Sequence, residues 1–402
     1  MLIVQKFGGS SVADAEKINR VAGVIADTYR EGNDVVVILS AQGDTTDDLL
    51  EKAAELNPNP SKRELDMLLS TGEQISISLM AMALEHMGLS VISLTGWQVG
   101  VKTNSDYGNA RISDIATERI RRELDKRRIV LVAGFQGINK YDDITTLGRG
   151  GSDTSAVAIA AVLHADKCQI FTDVEGVYTA DPRKVDGAIK LEEITYDEML
   201  ELASLGAQVL HNRSVMMAKK YSIELEVLSS YVRKPGTKVK EVAKNVEQMK
   251  ISGIAKDNNV ARIAVVGLPD EPGAAFKVFR ELSNAKIIVD IILQSLGKNN
   301  TNDISFTVAE NDMDAAAKAL EGAKDSIGFD HINVDSHVSK VSIVGAGMIA
   351  SSGIASLMFE ALYEASINIR MISTSEIKVS VLVNEYDADL AVKTIHNKFF
   401  RH

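Results

Sequence analysis

Two stretches in the last third of the chain repeat one pattern, and the repeat sharply restricts which folds the chain can adopt. Arg262 to Gly267 alternates as a strand, the turn Pro269-Asp270-Glu271-Pro272-Gly273 follows, and Ala274 to Ser283 has helical spacing. Strands at Ile287 to Ile292 and Asp303 to Val308, a helix at Met313 to Gly322 and a strand at His331 to Asp335 complete a βαββαβ unit. After a period of about 80 residues the order returns, with Lys340 to Val344, a helix at Gly353 to Glu364, strands at Ile367 to Ile372 and Lys378 to Val383, and a helix at Asp387 to Phe399. The second copy stops one strand short. The spare segment KISGIAK, Lys250 to Lys256, is expected to fill that edge, which would interlock the two small domains.

Upstream, short apolar runs alternate with amphipathic stretches. Leu2 to Gln5, Val35 to Leu39, Val91 to Leu94, Ile129 to Ala133, Gln169 to Thr172 and Glu224 to Leu228 have strand character. Ala15 to Arg30, Lys62 to Met87, Ser113 to Lys126 and Thr154 to His164 carry apolar residues at three and four spacing. Such alternation predicts a mostly parallel sheet covered by helices on both faces, with its active site at the carboxyl ends of the strands. The polar stretch Tyr231 to Lys250 has linker character. The expected boundaries are 1–235 for a first domain, 236–249 for the linker, 260–337 for the first small domain, and 250–257 with 338–402 for the second.

A length of 402 residues suits two or three domains. A net charge of −11 argues against nucleic acid as the main ligand, since phosphate backbones require a basic face. Cys168 is the only cysteine, so no intrachain disulfide forms, and its apolar strand setting predicts a buried, inert thiol. The first residues, MLIVQKFGG, lack the features of an export signal, and no apolar run reaches membrane-spanning length, so a cytoplasmic protein is expected.

Three loops carry chemistry. In Lys6-Phe7-Gly8-Gly9 a cation ends a strand and two glycines let backbone amides approach an anion, although the same pattern also makes a plain tight turn. In Gly148-Arg149-Gly150-Gly151-Ser152-Asp153 the arginine offers a fork for a carboxylate, and Ser152 or Asp153 suits the cap of a helix starting near Thr154. Thr172-Asp173-Val174-Glu175-Gly176-Val177-Tyr178-Thr179-Ala180-Asp181-Pro182-Arg183 leaves a strand with an aromatic ring, carboxylates and an arginine suited to a nucleotide. No Walker loop and no Rossmann fingerprint is present.

Taken in order, KFGGSSVAD, SAQGDTT, LLSTGEQIS, FQGI, TTLGRGGSDTSAVA, TDVEGVYTADPR and ISTSE resemble the aspartokinase family. The resemblance implies an amino-acid-kinase αβα sandwich with a mostly parallel sheet, followed by two ferredoxin-like ACT regulatory domains. It implies phosphorylation of L-aspartate by ATP with Mg²⁺ carried on the phosphates, yielding 4-phospho-L-aspartate for lysine, threonine and methionine synthesis.

By the same resemblance, Lys6 with Phe7, Gly8 and Gly9 meets the transferred phosphoryl group, and Asp153 organises Lys6. The Thr172 to Arg183 loop holds ATP through Thr172, Asp173 and Tyr178 to Arg183. Gln208, where the family commonly has a lysine, leaves one nucleotide contact altered. Ser40, Thr46, Glu73, Arg149, Gly150, Gly151 and Ser152 surround aspartate, with Glu73 taking its ammonium and Arg149 a carboxylate; a favourable acidic first turn is the plainer account of Glu73. Lysine or threonine effectors would sit against Asp270, Ala275, Ile288, Val289, Asp290 and Gln294 in the first ACT domain. In the second they would meet Ile354, Ala355, Asn368, Ile369, Ser375 and Glu376. A homodimer through the ACT domains is implied, and Met249 would permit an internally initiated regulatory subunit. A glutamate kinase and a catalytically silent sensor stay open as alternatives.

Overall fold

The computed structural model describes residues 1–206, 209–243, 251–297, 301–348 and 353–400. The chain forms two units, Met1–Tyr178 with Lys190–Ser204 and Gln208–Asn245, and Thr179–Ile189 with Leu205–Ala207 and Val246–His402.

In the first unit the elements run β1 (Leu2–Phe7), α1 (Ala15–Arg30), β2 (Asp34–Leu39), α2 (Thr45–Leu56), α3 (Lys62–His86), β3 (Val91–Leu94), β4 (Val101–Thr103) and β5 (Ile112–Ile115). They continue with α4 (Glu118–Asp125), β6 (Ile129–Ala133), β7 (Gln136–Ile138), β8 (Ile144–Thr146), α5 (Gly151–Leu163) and β9 (Lys167–Thr172). The last are β10 (Glu193–Thr195), α6 (Tyr196–Ser204), α7 (Asn212–Tyr221), β11 (Leu225–Ser229) and β12 (Thr237–Lys240). Eight strands form one sheet in the order β10-β12-β11-β9-β1-β2-β6-β3, parallel throughout except where β11 meets β12. The central strands VVVIL and IVLVA are buried on both faces, as a parallel sheet between helix layers requires. Each such Val, Ile or Leu contributes roughly 1.5–3 kcal/mol. Helix α3 is long and apolar enough to cross a membrane by composition. Ile77, Met80 and Leu84 instead place it in the core with α1 and the sheet. A second, small sheet, β5-β4-β7-β8, lies in the same unit.

Three expectations change here. Ser113 to Lys126 is not one helix: Ile112–Ile115 pairs with β4 before α4 starts at Glu118, and the run of charges after Thr117 imitated a longer amphipathic period. The linker expected at 236–249 begins inside the sheet, because Thr237–Lys240 is a strand against β11 and β10; residues 244–250 lie outside the described residues. Helix α5 begins at Gly151 with Gly150 as its cap and no side-chain capping bond, so Ser152 and Asp153 lie in its first turn.

The second unit runs β13 (Gly253–Asp257), β14 (Ala261–Pro269), α8 (Ala274–Asn284), β15 (Val289–Leu296), β16 (Thr301–Val308), α9 (Met313–Gly322), α10 (Lys324–Ile327) and β17 (His331–Asp335). It ends with β18 (Val338–Val344), α11 (Ile354–Glu364), β19 (Met371–Thr374), β20 (Lys378–Asn384) and α12 (Ala388–Phe400). Its two antiparallel sheets have the orders β15-β16-β14-β17 and β19-β20-β18-β13. The strand preceding the first repeat thus pairs with the second, Gly253 opposite Val344 and Asp257 opposite Lys340. Each sheet has its own core, Val265, Val278, Phe306 and Leu320 in one and Val341, Met358, Val381 and Ile395 in the other.

Candidate active site

The carboxyl end of β1 and the first turn of α5 carry opposite charges toward each other. Lys6 Nζ lies 2.6 Å from Asp153 Oδ1, with both side chains about a tenth exposed. Because α5 is apolar and buried along almost its whole length, Asp153 is held there by packing rather than by solvent. Beyond Lys6 the backbone passes very close to the loop after β2. A Cβ at Gly9 would stand 2.5 Å from the carbonyl oxygen of Ala41, and Gly43 N donates to Gly9 O at 3.0 Å. Only glycine permits that approach.

Ser40 follows β2 directly, and Thr46 sits half-buried in the first turn of α2. Glu73, on α3, reaches the same loop: its Oε1 accepts from Ala41 N at 3.2 Å, while Oε2 is buried with no hydrogen-bond partner. Only 3% of the residue is exposed, and this desolvation pushes its carboxyl up to about 7. A buried carboxyl group with one unused oxygen is suited to receive a cation.

Arg149 stands between Gly148 (φ +77°) and Gly150 (φ +70°), exposed and with no carboxylate partner among the described residues. At Gly150 the restriction is double. The left-handed backbone disfavours a side chain, and a Cβ would lie 2.2 Å from Cγ of the His211 ring. Gly151 is packed between Phe135 and Leu147, and Ser152 is buried beside Gly134.

The loop after β9 divides. Thr172 Oγ1 accepts from Val174 N at 3.0 Å, Asp173 is exposed, and Tyr178 is half-buried and bridges to Lys190 within the first unit. Thr179, by contrast, is fully buried in the second unit, where its Oγ1 lies 2.9 Å from His396 Nε2 and accepts from Ile189 N at 2.9 Å. Ala180 and Val185 belong to the apolar core around Val341 and Met358. Asp181 is closed on its own neighbour, accepting from Arg183 N at 2.9 Å and from its guanidinium at 3.0 Å, with Pro182 exposed between them. The side chains of Thr179 and Ala180 are thus committed to a core, which leaves their backbone groups for any contact with a nucleotide. Gln208 lies outside the described residues.

Among the described residues no cluster of three or more His, Cys, Asp or Glu side chains could hold a metal ion. Cys168 is fully buried, and burial pushes its thiol up, away from the reactive thiolate.

In the first ferredoxin-like sheet a cavity of about 320 Å³ is lined by Asp270, Gly273, Ala275, Gln294 and Asn302 among others. Asn302 Nδ2 donates to Asp270 Oδ1 at 2.8 Å, and Asn302 Oδ1 is buried without a partner. Ile288, Val289 and Asp290 do not line this cavity; Ile288 is 81% exposed and Asp290 accepts from Lys340 Nζ at 2.6 Å. In the second sheet Ile354 is core, with Ala355 and Ile369 packed on it, while Asn368, Ser375 and Glu376 are exposed. Residues 349–352 lie outside the described residues. Sequence patterns missed Asn302 and, near Arg149, His211 and Arg213, whose types at the end of a strand pattern and at a helix start give no signal of their contacts.

The family model described as the amino acid kinase family matches residues 1–229, and the ACT domain model matches 263–323 and 341–399. The chain is 50% identical to an aspartokinase of Mycolicibacterium smegmatis, over 99% of this chain and 96% of the relative. It is 49% identical to one from Geobacillus stearothermophilus, over 99% and 97%. A solved structure of Escherichia coli aspartokinase III in complex with aspartate and ADP is similar at a TM-score of 0.84 and 26% identity, over the full length of both chains. The ordered motifs, the sheet with its lysine–aspartate pair and the duplicated C-terminal sheets agree with these likenesses, and the chain belongs to the aspartokinases, ATP-dependent kinases acting on a carboxyl group of aspartate.

Proposed function

We propose that Lys6 and Asp153 form the centre of phosphoryl transfer, and the 2.6 Å pair between them is the observation that carries the reading. A carboxylate nucleophile is already ionised at neutral pH, so no general base is needed and the protein's work is positioning and charge stabilisation. One oxygen of the aspartate side chain attacks the γ-phosphorus of MgATP, the bond to the bridging oxygen breaks, and ADP leaves with no proton transferred. Lys6, steered by Asp153, neutralises charge on the moving phosphoryl group, and the amides after Phe7 and around Gly8 and Gly9 add donors. Arg149, exposed and with no carboxylate partner among the described residues, takes a substrate carboxylate as a two-pronged clamp. Glu73 takes the ammonium with its unused oxygen, and Ser40, Thr46 and the Gly150-Gly151-Ser152 backbone complete the acceptor side. Thr172, Asp173 and Tyr178 face the nucleotide.

The product, 4-phospho-L-aspartate, would enter lysine, threonine and methionine synthesis. The cavity beside Asp270 would hold an amino-acid effector, lysine or threonine, because Asp270 offers a carboxylate to an ammonium and Asn302 a buried acceptor. One relative, E. coli aspartokinase III, is described in complex with lysine and aspartate. Strand β15 is outermost in its sheet and exposes Ile292, Leu293 and Leu296, an edge that a second copy would cover. A coupled assay of ATP turnover with aspartate or glutamate, each with and without lysine plus threonine, tests this. Turnover with aspartate alone as acceptor, suppressed by effector, is expected; absence of aspartate-dependent turnover would overturn it.

A further inference from the structure

Arg213, in the first turn of α7, holds the chain just before Arg149 from outside that loop. Its Nη1 donates to the carbonyl oxygen of Leu147 at 2.8 Å, and its Nη2 donates to the carbonyl oxygen of Ala110 at 2.7 Å. It forms no ion pair with a carboxylate among the described residues, and burial, then the nearby Arg111, lower its pKa from the ordinary value. Keeping a partly desolvated guanidinium on two neutral carbonyls is costly unless their positions matter.

The two carbonyls come from separate segments that already meet, since Ala110 N donates to Thr146 O at 2.8 Å. Asp66 on α3 binds the same two segments, accepting from Thr146 N, Thr146 Oγ1 and Gly108 N at 2.9, 2.6 and 3.0 Å. The stem is thus held by both an acid and a guanidinium, bonded to different backbone groups. Beyond Arg149, the His211 ring fills the space at Gly150, and His211 Nδ1 accepts from Arg213 N at 3.4 Å. The amino end of α7 therefore grips the chain on both sides of an exposed arginine.

We propose that Arg213 is a positioning residue for acceptor capture: by tying Leu147 and Ala110 together it fixes the stem from which Arg149 presents its guanidinium to aspartate. This rests on the reading of Arg149 as the aspartate clamp. Both Nη groups of Arg213 are taken up by the stem, so on this proposal its influence passes through Arg149 and appears in aspartate binding and not in nucleotide binding.

The test is steady-state kinetics on the full chain. Arg213→Met keeps the stem length and removes both donors; the KM for aspartate should rise about tenfold or more, as misplacement of a clamp by a fraction of an ångström implies, with the KM for ATP within about twofold. Arg213→Lys retains one donor and the charge and should recover part of the loss; it also serves if the methionine variant does not fold. In the double variant Arg149→Ala/Arg213→Met, the aspartate KM should match that of Arg149→Ala alone, because Arg213 then has nothing to position. An unchanged aspartate KM in folded Arg213→Met or, should that variant not fold, in Arg213→Lys, equal rises in both KM values, or effects that multiply in the double variant would overturn the proposal. If Arg149→Ala alone leaves the aspartate KM unchanged, the clamp reading fails instead, and that outcome is separate from a failure confined to Arg213.

Discussion

The loop around Arg149 and the loop after β9 are built in opposite ways. Lys6, Ser40, Thr46, Glu73, Arg149 and Asp153 all belong to the first unit. The TDVEGVYTADPR loop begins there but changes units between Tyr178 and Thr179, and its second half packs with His396, Val341 and Met358. The loop around Arg149 is held by elements that have no part in the duplicated sheets. The loop after β9, proposed to meet the nucleotide, shares its backbone with a segment packed in the core of the second of those sheets. A shift in that sheet is expected to register first in ATP binding.

The largest expected effect lies at the lysine–aspartate pair. Lys6→Ala should lower kcat by roughly 10²–10³-fold or more, as loss of a charge-stabilising donor does. Steady-state rates with both substrates saturating would show it, and a kcat within tenfold of the parent would remove the pair from the chemistry. Next comes Arg149→Ala, for which the aspartate KM should rise about 100-fold while the ATP KM stays within about twofold. Equal effects on both substrates would erase the contrast between the two loops.

Glu73 sharpens it through pH. With its carboxyl at about 7, aspartate affinity should fall as pH drops from 8 to 6, and Glu73→Gln should flatten that dependence while weakening binding overall. Stability should move the other way. Below the usual carboxyl value of 4.5 the group is neutral whether folded or unfolded, and above about 7 the folded chain carries a buried charge. Stability is lost between these values as pH rises, so Glu73→Gln should raise the melting temperature at pH 8 and leave it nearly unchanged at pH 4, by a term on the order of 3 kcal/mol at most. Equal shifts at both values would contradict the desolvation account. The smallest effect belongs to Thr179→Val, which removes a buried hydroxyl bonded to His396 and to Ile189 N. A loss of about 1–3 kcal/mol in denaturant unfolding, with a rise in ATP KM and none in aspartate KM, is expected.

The legible parts of the molecule were those encoded by period and order. Fully apolar runs such as VVVIL announce central parallel strands, and the duplicated pattern, its second copy one strand short, announces two sheets with the spare upstream strand completing the second. The ordered glycine motifs single out the loop that carries Arg149, and in the structure that residue stands between two left-handed glycines. What failed was information that is not local. Thr117 onward carries enough charge at helical spacing to mask the strand at Ile112–Ile115. Ser152 and Asp153 have capping chemistry, but Asp153 is drawn to Lys6 from a strand far away in sequence. Nothing in VYTADPR signals that Thr179 and Ala180 leave their neighbours for another core, because small and polar residues suit both a ligand loop and a buried crossing. Arg213 at a helix start is equally silent about the two carbonyls it binds.

The order of strands in the second sheet bears on how the chain is made. Gly253–Asp257 leaves the ribosome long before its partner Val338–Val344, with the whole first ferredoxin-like sheet synthesised between them. For that interval the strand's amides and carbonyls have no ladder to join, and an early-exposed edge invites pairing with the wrong chain. Two nascent copies on one message offer each other the missing partner, so exchange of this strand between copies is the misassembly to which the topology is most open. The interlock that ties the two repeats together therefore cannot form until the whole first ferredoxin-like sheet and the strand after it have been made, and that delay is a point at which crowded synthesis is vulnerable.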